Sequence, residues 1–219
     1  MCGGFLIFSQ VKEMSERFRA MPFTAHFVER YNARPTQYLP TIRNESPDKL
    51  ELDEWGIRPP WSKSQRIINT RKESLDTKPI FKKSFHERRC IIPANGFYEW
   101  KPVSGHKIPF RFGLKDDSLF AFAGIWMEDK DTKTPCFTII TVEPNELVAD
   151  VHNRMPAILP LKDEREWLNP DLSEKQLLDL LYPFPAGKMV VHEASTKANT
   201  PAFDNPELLN PDPERGTLL

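Results

Sequence analysis

The sequence predicts a single α+β domain, an antiparallel β-barrel-like core with short peripheral helices. Three observations carry that expectation. The chain has 219 residues, 39% of them hydrophobic and 28% charged, a length and balance that suit one globular domain with a substantial core. It holds 21 prolines against 9 glycines. Proline is excluded from helix interiors and central strands, which argues against a helical bundle or a long βα alternation. Its apolar residues also fall in short runs of strand length, rich in β-branched and aromatic side chains. No run approaches the ~18 apolar residues of a membrane span, and the start lacks a basic-then-apolar leader. A cytoplasmic protein without a membrane partner is expected, by default a monomer.

The elements follow in order. Residues 3–8 read as a first strand, and Val11, Met14 and Phe18 recur at helical spacing, predicting a helix over about 10–20. Residues 50–52 and 108–114 alternate as half-buried strands, while 67–68, 90–92, 119–126 and 137–142 are continuous apolar runs. The mixed stretch 72–89 reads as a short helix, then a second that Pro79 opens at its first turn. Residues 144–150 and 162–168 suggest short helices. Over 173–181 a better one has Ser173 as N-cap and Gln176 closing a capping box. Residues 188–192 form a last strand. The domain therefore spans 1–200, and 201–219 is a proline-rich, acidic and frayed tail.

The net charge of −1 hides an asymmetry. From Arg58 to Lys101 there are eleven basic and four acidic residues, a balance of 11 − 4 = +7 offset by −8 elsewhere. Interleaved aromatics such as Trp61, Phe81 and Phe85 would suit a polyanion whose bases stack. From charge alone, a solvated face over core aromatics is the simpler reading.

The three cysteines, Cys2, Cys90 and Cys136, have no zinc-ligand spacing and cannot all pair with one another. No metal and no cofactor is indicated. Cys90 and Cys136 sit in apolar runs and read as core thiols. Cys2 differs, because removal of Met1 before a small residue exposes an α-amine and a thiol on adjacent carbons. That amine has a pKa of ~7.7–8.0, against ~10.4 for lysine, so much more of it is neutral at pH 7. A neutral amine attacks an aldehyde to form a Schiff base, and the thiol then closes a five-membered thiazolidine. The same thiol could instead cleave an amide.

The remaining motifs decide between these readings. MCG at the start, RYNARP (30–35), WGIRPPW (55–61), NTRKE (69–73), RCIIPANGFYEW (89–100), AGIW (123–126) and VHNRMPAIL (151–159) stand in order along the chain. In these it resembles the SRAP family, the SOS-response-associated peptidases also understood as abasic-site processing proteins, over nearly its whole length. The resemblance implies a compact α+β fold around a barrel-like core. It also implies covalent capture of abasic sites in single-stranded DNA through a thiazolidine on Cys2.

Read residue by residue, the resemblance makes Cys2 the nucleophile, Asn69 the amide beside the crosslink, and Glu99 the general acid/base that opens the abasic sugar. His152 becomes the proton shuttle of imine formation and reversal. It further implies that Asn32 and Pro35 flank the site, that Arg71 and Arg154 contact phosphates, and that Trp61 is a wedge against the strand. His26, His86, His106 and His192 receive no role.

Two departures stand out. Many members begin MCGR where this chain has Gly4, which removes a cation near the N-terminus. Ser62 follows Trp61 where some relatives have a second tryptophan. Two other functions fit the residues: a thiol autopeptidase acting on its own Met1–Cys2 bond, and a non-covalent binder of single-stranded nucleic acid built on the basic segment.

Overall fold

A computed structural model describes residues 2–62 and 64–212. In chain order its strands are β1 (Phe5–Ile7), β2 (Arg30–Ala33), β3 (Tyr38–Arg43), β4 (Glu51–Trp55), β5 (Asn69–Arg71), β6 (Arg89–Ala94), β7 (Gly96–Val103), β8 (His106–Leu114), β9 (Phe120–Glu128), β10 (Pro135–Val142), β11 (Met155–Pro156), β12 (Ile158–Leu159) and β13 (Met189–Glu193). The helices are α1 (Val11–Phe18), α2 (Pro79–Glu87), α3 (Glu146–Ala149), α4 (Leu161–Leu168) and α5 (Glu174–Asp179). No helix among the described residues is long and apolar enough to cross a membrane.

Five strands close a barrel. β3 pairs with β4 and β6, β6 with β9, β9 with β10, and β10 returns to β4. That last pairing, like β10 with β5, is parallel, within a core otherwise antiparallel as expected. The crowding of closure is visible at Gly124 in β9, where a Cβ would stand 2.4 Å from Ile92 Cδ1 and 3.0 Å from the Thr138 carbonyl. A second sheet, in the order β13-β8-β7-β1-β2, covers the barrel. Phe5 of β1 packs against Trp55 and Phe122 of the barrel, with ring centroids 5.0 and 5.8 Å away. This seats the start of the chain on the barrel.

The expected helices are present, and α5 has its capping box with Ser173 and Gln176 reciprocally bonded. Two strands that hydrophobic periodicity does not predict, β2 and β3, are present as well. β3 contains Pro40, which lies opposite Leu52 of β4, while β6 pairs with β3 only from Ile42 onward. A proline is tolerated where a strand has one neighbour. Residues 67–68 are not a strand of their own: Ile67 makes a single bridge to Ile57, and β5 starts at Asn69.

The tail is not frayed over 201–212. Leu208 is fully buried. Asp204 accepts hydrogen bonds from the backbone of Tyr31 and Asn32 at 2.6 and 2.8 Å, and pairs with Arg30 at 3.1 Å. Asp212 accepts from Ser195 and Thr196. This segment straps β2 in place. The rest of the expected tail, 213–219, lies outside the described residues, as does Lys63 of the basic segment.

Candidate active site

β1 and β7 set the geometry. Phe5 lies opposite Phe97 and Leu6 opposite Gly96, and the Tyr98 amide donates to the Gly4 carbonyl at 3.0 Å. The next residue of β7, Glu99, shares the face of Phe97 by strand alternation. Glu99 is therefore carried inward beside the start of the chain. It is 1% exposed. Burial pushes its carboxyl up to about 7, against the opposing positive charge of the chain's amino terminus. Such a group exchanges protons at neutral pH.

Cys2 is fully buried, its Sγ lying 3.4 Å from the Gly4 carbonyl. Burial first, and then the charge of Glu99, hold the thiol well above its ordinary pKa, while Arg34 works in the opposite direction. The thiol is protonated at rest. Asn69, first residue of β5, donates its Nδ2 to the Cys2 carbonyl at 2.7 Å. The residue before it is pinned on two sides: the Ile68 carbonyl accepts from the Trp55 indole at 3.0 Å and from the Ile139 amide at 3.1 Å. Asn69 Oδ1 is buried without a hydrogen-bond partner among the described residues, and so is available to accept from a substrate hydroxyl or amine.

His152 follows α3, its amide bonded to the Val148 carbonyl at 2.9 Å. The Arg154 amide lies 3.1 Å from His152 Nδ1 and the Arg154 carbonyl 3.3 Å from the same nitrogen, so both backbone groups of Arg154 hold the ring in place. Burial, followed by the positive charge at the amino terminus, lowers its pKa, so the ring is neutral at pH 7. His152 and Glu99 line one cleft of about 600 Å³, together with Arg34, Trp100, Lys107 and Asn199. Asn69 lines another, of about 350 Å³, with Trp61, Arg71 and Lys78. Cys2 lies between residues that belong to both.

The expected DNA-contacting residues divide. Trp61 is 67% exposed and Arg71 is exposed, both beside Asn69. Pro35 is half-buried in the turn between β2 and β3. Asn32 is fully buried, and its amide donates to the Thr200 and Phe203 carbonyls at 3.2 and 2.8 Å, so it fastens the C-terminal strap. Arg154 is 5% exposed. Its guanidinium forks onto Glu73 at 3.1 and 3.0 Å, and also bonds Glu143 and the Thr141 carbonyl at 2.6 Å each. It ties the NTRKE segment to the His152 turn.

The basic segment is likewise thinner than its charge. Arg58 pairs with Asp129 and Arg66 with Glu54. Arg89, fully buried, donates to the Phe85, Trp167 and Asn169 carbonyls at the ends of α2 and α4. Arg34, Trp100, Lys107 and Asn199 escape the sequence reading. Arg34 and Trp100 lie within two of the motifs, RYNARP and RCIIPANGFYEW, without standing out there; Lys107 and Asn199 lie outside them.

The β-barrel thus carries a buried Cys2 with the Asn69 amide on its carbonyl, and Glu99, a carboxyl near neutrality, acts electrostatically on the same thiol. The chain belongs to the family described as SOS response associated peptidase (SRAP), whose model matches residues 1–201. It is 41% identical over 221 residues to the abasic site processing protein YoqW of Bacillus subtilis, covering 95% of this chain and 99% of that one. To the abasic site processing protein YedK of Escherichia coli it is 29% identical over 224 residues, covering 96% and 100%. A crystal structure of a protein from Bacteroides thetaiotaomicron superposes with a TM-score of 0.85 at 28% identity, covering 96% of this chain and all of that one.

Proposed function

We propose that this protein processes abasic sites in single-stranded DNA by joining the ring-opened sugar to Cys2 as a thiazolidine, once Met1 has been removed. The names of its relatives as abasic site processing proteins support the substrate. The convergence of Cys2, Asn69, Glu99 and His152 supports the chemistry.

The order of steps follows from protonation states. Glu99, poised near neutrality, exchanges the protons that open the sugar to its aldehyde. The Cys2 amine, not the thiol, attacks first, because the thiol is held protonated while an α-amine is substantially neutral near pH 8. The carbonyl oxygen leaves as water when the imine forms, with a proton from the Glu99 carboxyl. The thiol then adds to the imine carbon and gives its proton to the nitrogen. One C–N and one C–S bond form, and one water is lost. Asn69 holds the Cys2 carbonyl so that amine and thiol face the same carbon.

A thiol-first peptidase acting on Met1–Cys2 asks for a thiolate that burial and Glu99 both oppose. A purely non-covalent binder leaves the buried Glu99 without a task. The test is a denaturing gel of Met1-free protein with single-stranded DNA containing one abasic site. A shifted band that is absent with Cys2→Ala and with undamaged DNA supports the reading, and no band from the wild type overturns it.

A further inference from the structure

We propose that Arg34 is a positioning residue for Cys2, and that positions 4 and 34 form one cation site which this chain fills from Arg34. The proposal deepens the reading of Cys2 given above and rests on it. Arg34 Nη1 donates to the Gly3 carbonyl at 3.0 Å, and Nη2 donates to the Ala198 carbonyl in the turn ahead of the C-terminal strap. The guanidinium stands over the Trp100 ring, 5.3 Å from its centroid. A Cβ on Gly4 would come within 3.3 Å of both Arg34 Cζ and Nη1. The guanidinium thus lies in close contact with position 4, where any side chain would press on it.

The cation missing from position 4 is thus supplied across the sheet. Two donors bracket the start of the chain, Asn69 on the Cys2 carbonyl and Arg34 on the Gly3 carbonyl. Together they fix the peptide that follows the nucleophile. Arg34 also lines the cleft shared by Glu99 and His152. Its charge favours the thiolate of Cys2, against burial and Glu99. Ring closure is the step that consumes this thiol.

The experiment compares wild type, Arg34→Ala, Arg34→Lys and the double variant Arg34→Ala/Gly4→Arg, all freed of Met1. The rate of Cys2 alkylation by iodoacetamide is followed against pH on the N-terminal peptide by mass, and the same proteins are assayed for crosslinking to abasic single-stranded DNA. Arg34→Ala is expected to move the alkylation profile to higher pH and to slow the reaction about threefold at neutral pH. Arg34→Lys should retain more of the rate than alanine, and the double variant should return to within roughly twofold of wild type. Arg34→Ala reacting as fast as wild type at every pH overturns the proposal. So does a double variant that melts like wild type yet reacts as slowly as Arg34→Ala. Alkylation involves no DNA, so failure of the abasic-site reading would appear in the crosslinking arm alone.

Discussion

Asn69 Nδ2 donates to the carbonyl of Cys2 at 2.7 Å across 67 residues of sequence. One side-chain amide therefore sets the direction of the first peptide after the nucleophile. Asn69→Ala is expected to slow crosslinking by about 10- to 100-fold, as misplacement of a reacting group does. The unfolding free energy should fall by no more than about 1.5 kcal/mol for the lost bond. Single-turnover rates beside denaturant melts check both parts.

Glu99 couples activity to stability. Its carboxyl stands at about 7 against an ordinary 4.5, so between those values the unfolded chain gives up a proton that the folded chain keeps. Stability from this group is present at low pH and is lost as pH rises through about 7. Glu99→Gln is expected to stabilise the protein above pH 8 by on the order of 2 kcal/mol. The gain should vanish below pH 4.5, the group's ordinary value, and crosslinking should drop sharply. Urea melts across that range, paired with gel assays, read it.

Arg154 holds two carboxylates, Glu73 and Glu143, beside the His152 turn. Removing it leaves them facing each other without their cation. Both glutamates are more than half exposed, so Arg154→Ala should cost only about 1–3 kcal/mol, less than a buried pair. Because the guanidinium ties down the turn that carries His152, the crosslinking pH profile should change shape as well. Thermal melts and rate–pH curves decide.

Trp61 is largely solvent-exposed and contributes little to the core. Trp61→Ala should leave the melting temperature unchanged and weaken binding to intact single-stranded DNA by about 1–3 kcal/mol, one stacked base. Fluorescence anisotropy at fixed salt measures it.

The parts of this fold that were legible in the sequence are those whose pattern is local. β6, β9 and β10 are buried on both faces and read as continuous apolar runs. α5 announces itself through Ser173 and Gln176. β3 did not, because Pro40 interrupts it and because Thr41 and Arg43 are buried polar residues that bond Asp53 of β4 at 2.6 and 2.9 Å. The same logic hid the strap over 201–212. Asp204 and Asn32 look like loop residues until folding brings Asp204 onto the Asn32 amide and the Asn32 side chain onto the Phe203 carbonyl. Of the site, the motifs supplied Cys2, Asn69, Glu99 and His152. RYNARP contains Arg34 but does not disclose its role, because the contact with Gly3 spans 31 residues and is made only on folding.

The central claim is that the Cys2 amine and thiol both bond to the same sugar carbon. It is tested most directly by digesting the crosslinked complex with nuclease and protease, treating it with iodoacetamide, and weighing the N-terminal peptide. The account predicts a peptide beginning at Cys2 that carries the ring-opened sugar less one water and takes up no alkyl group, since the thiol is already bonded. An adduct whose Cys2 is still alkylated, or one mapped to another residue, would contradict it.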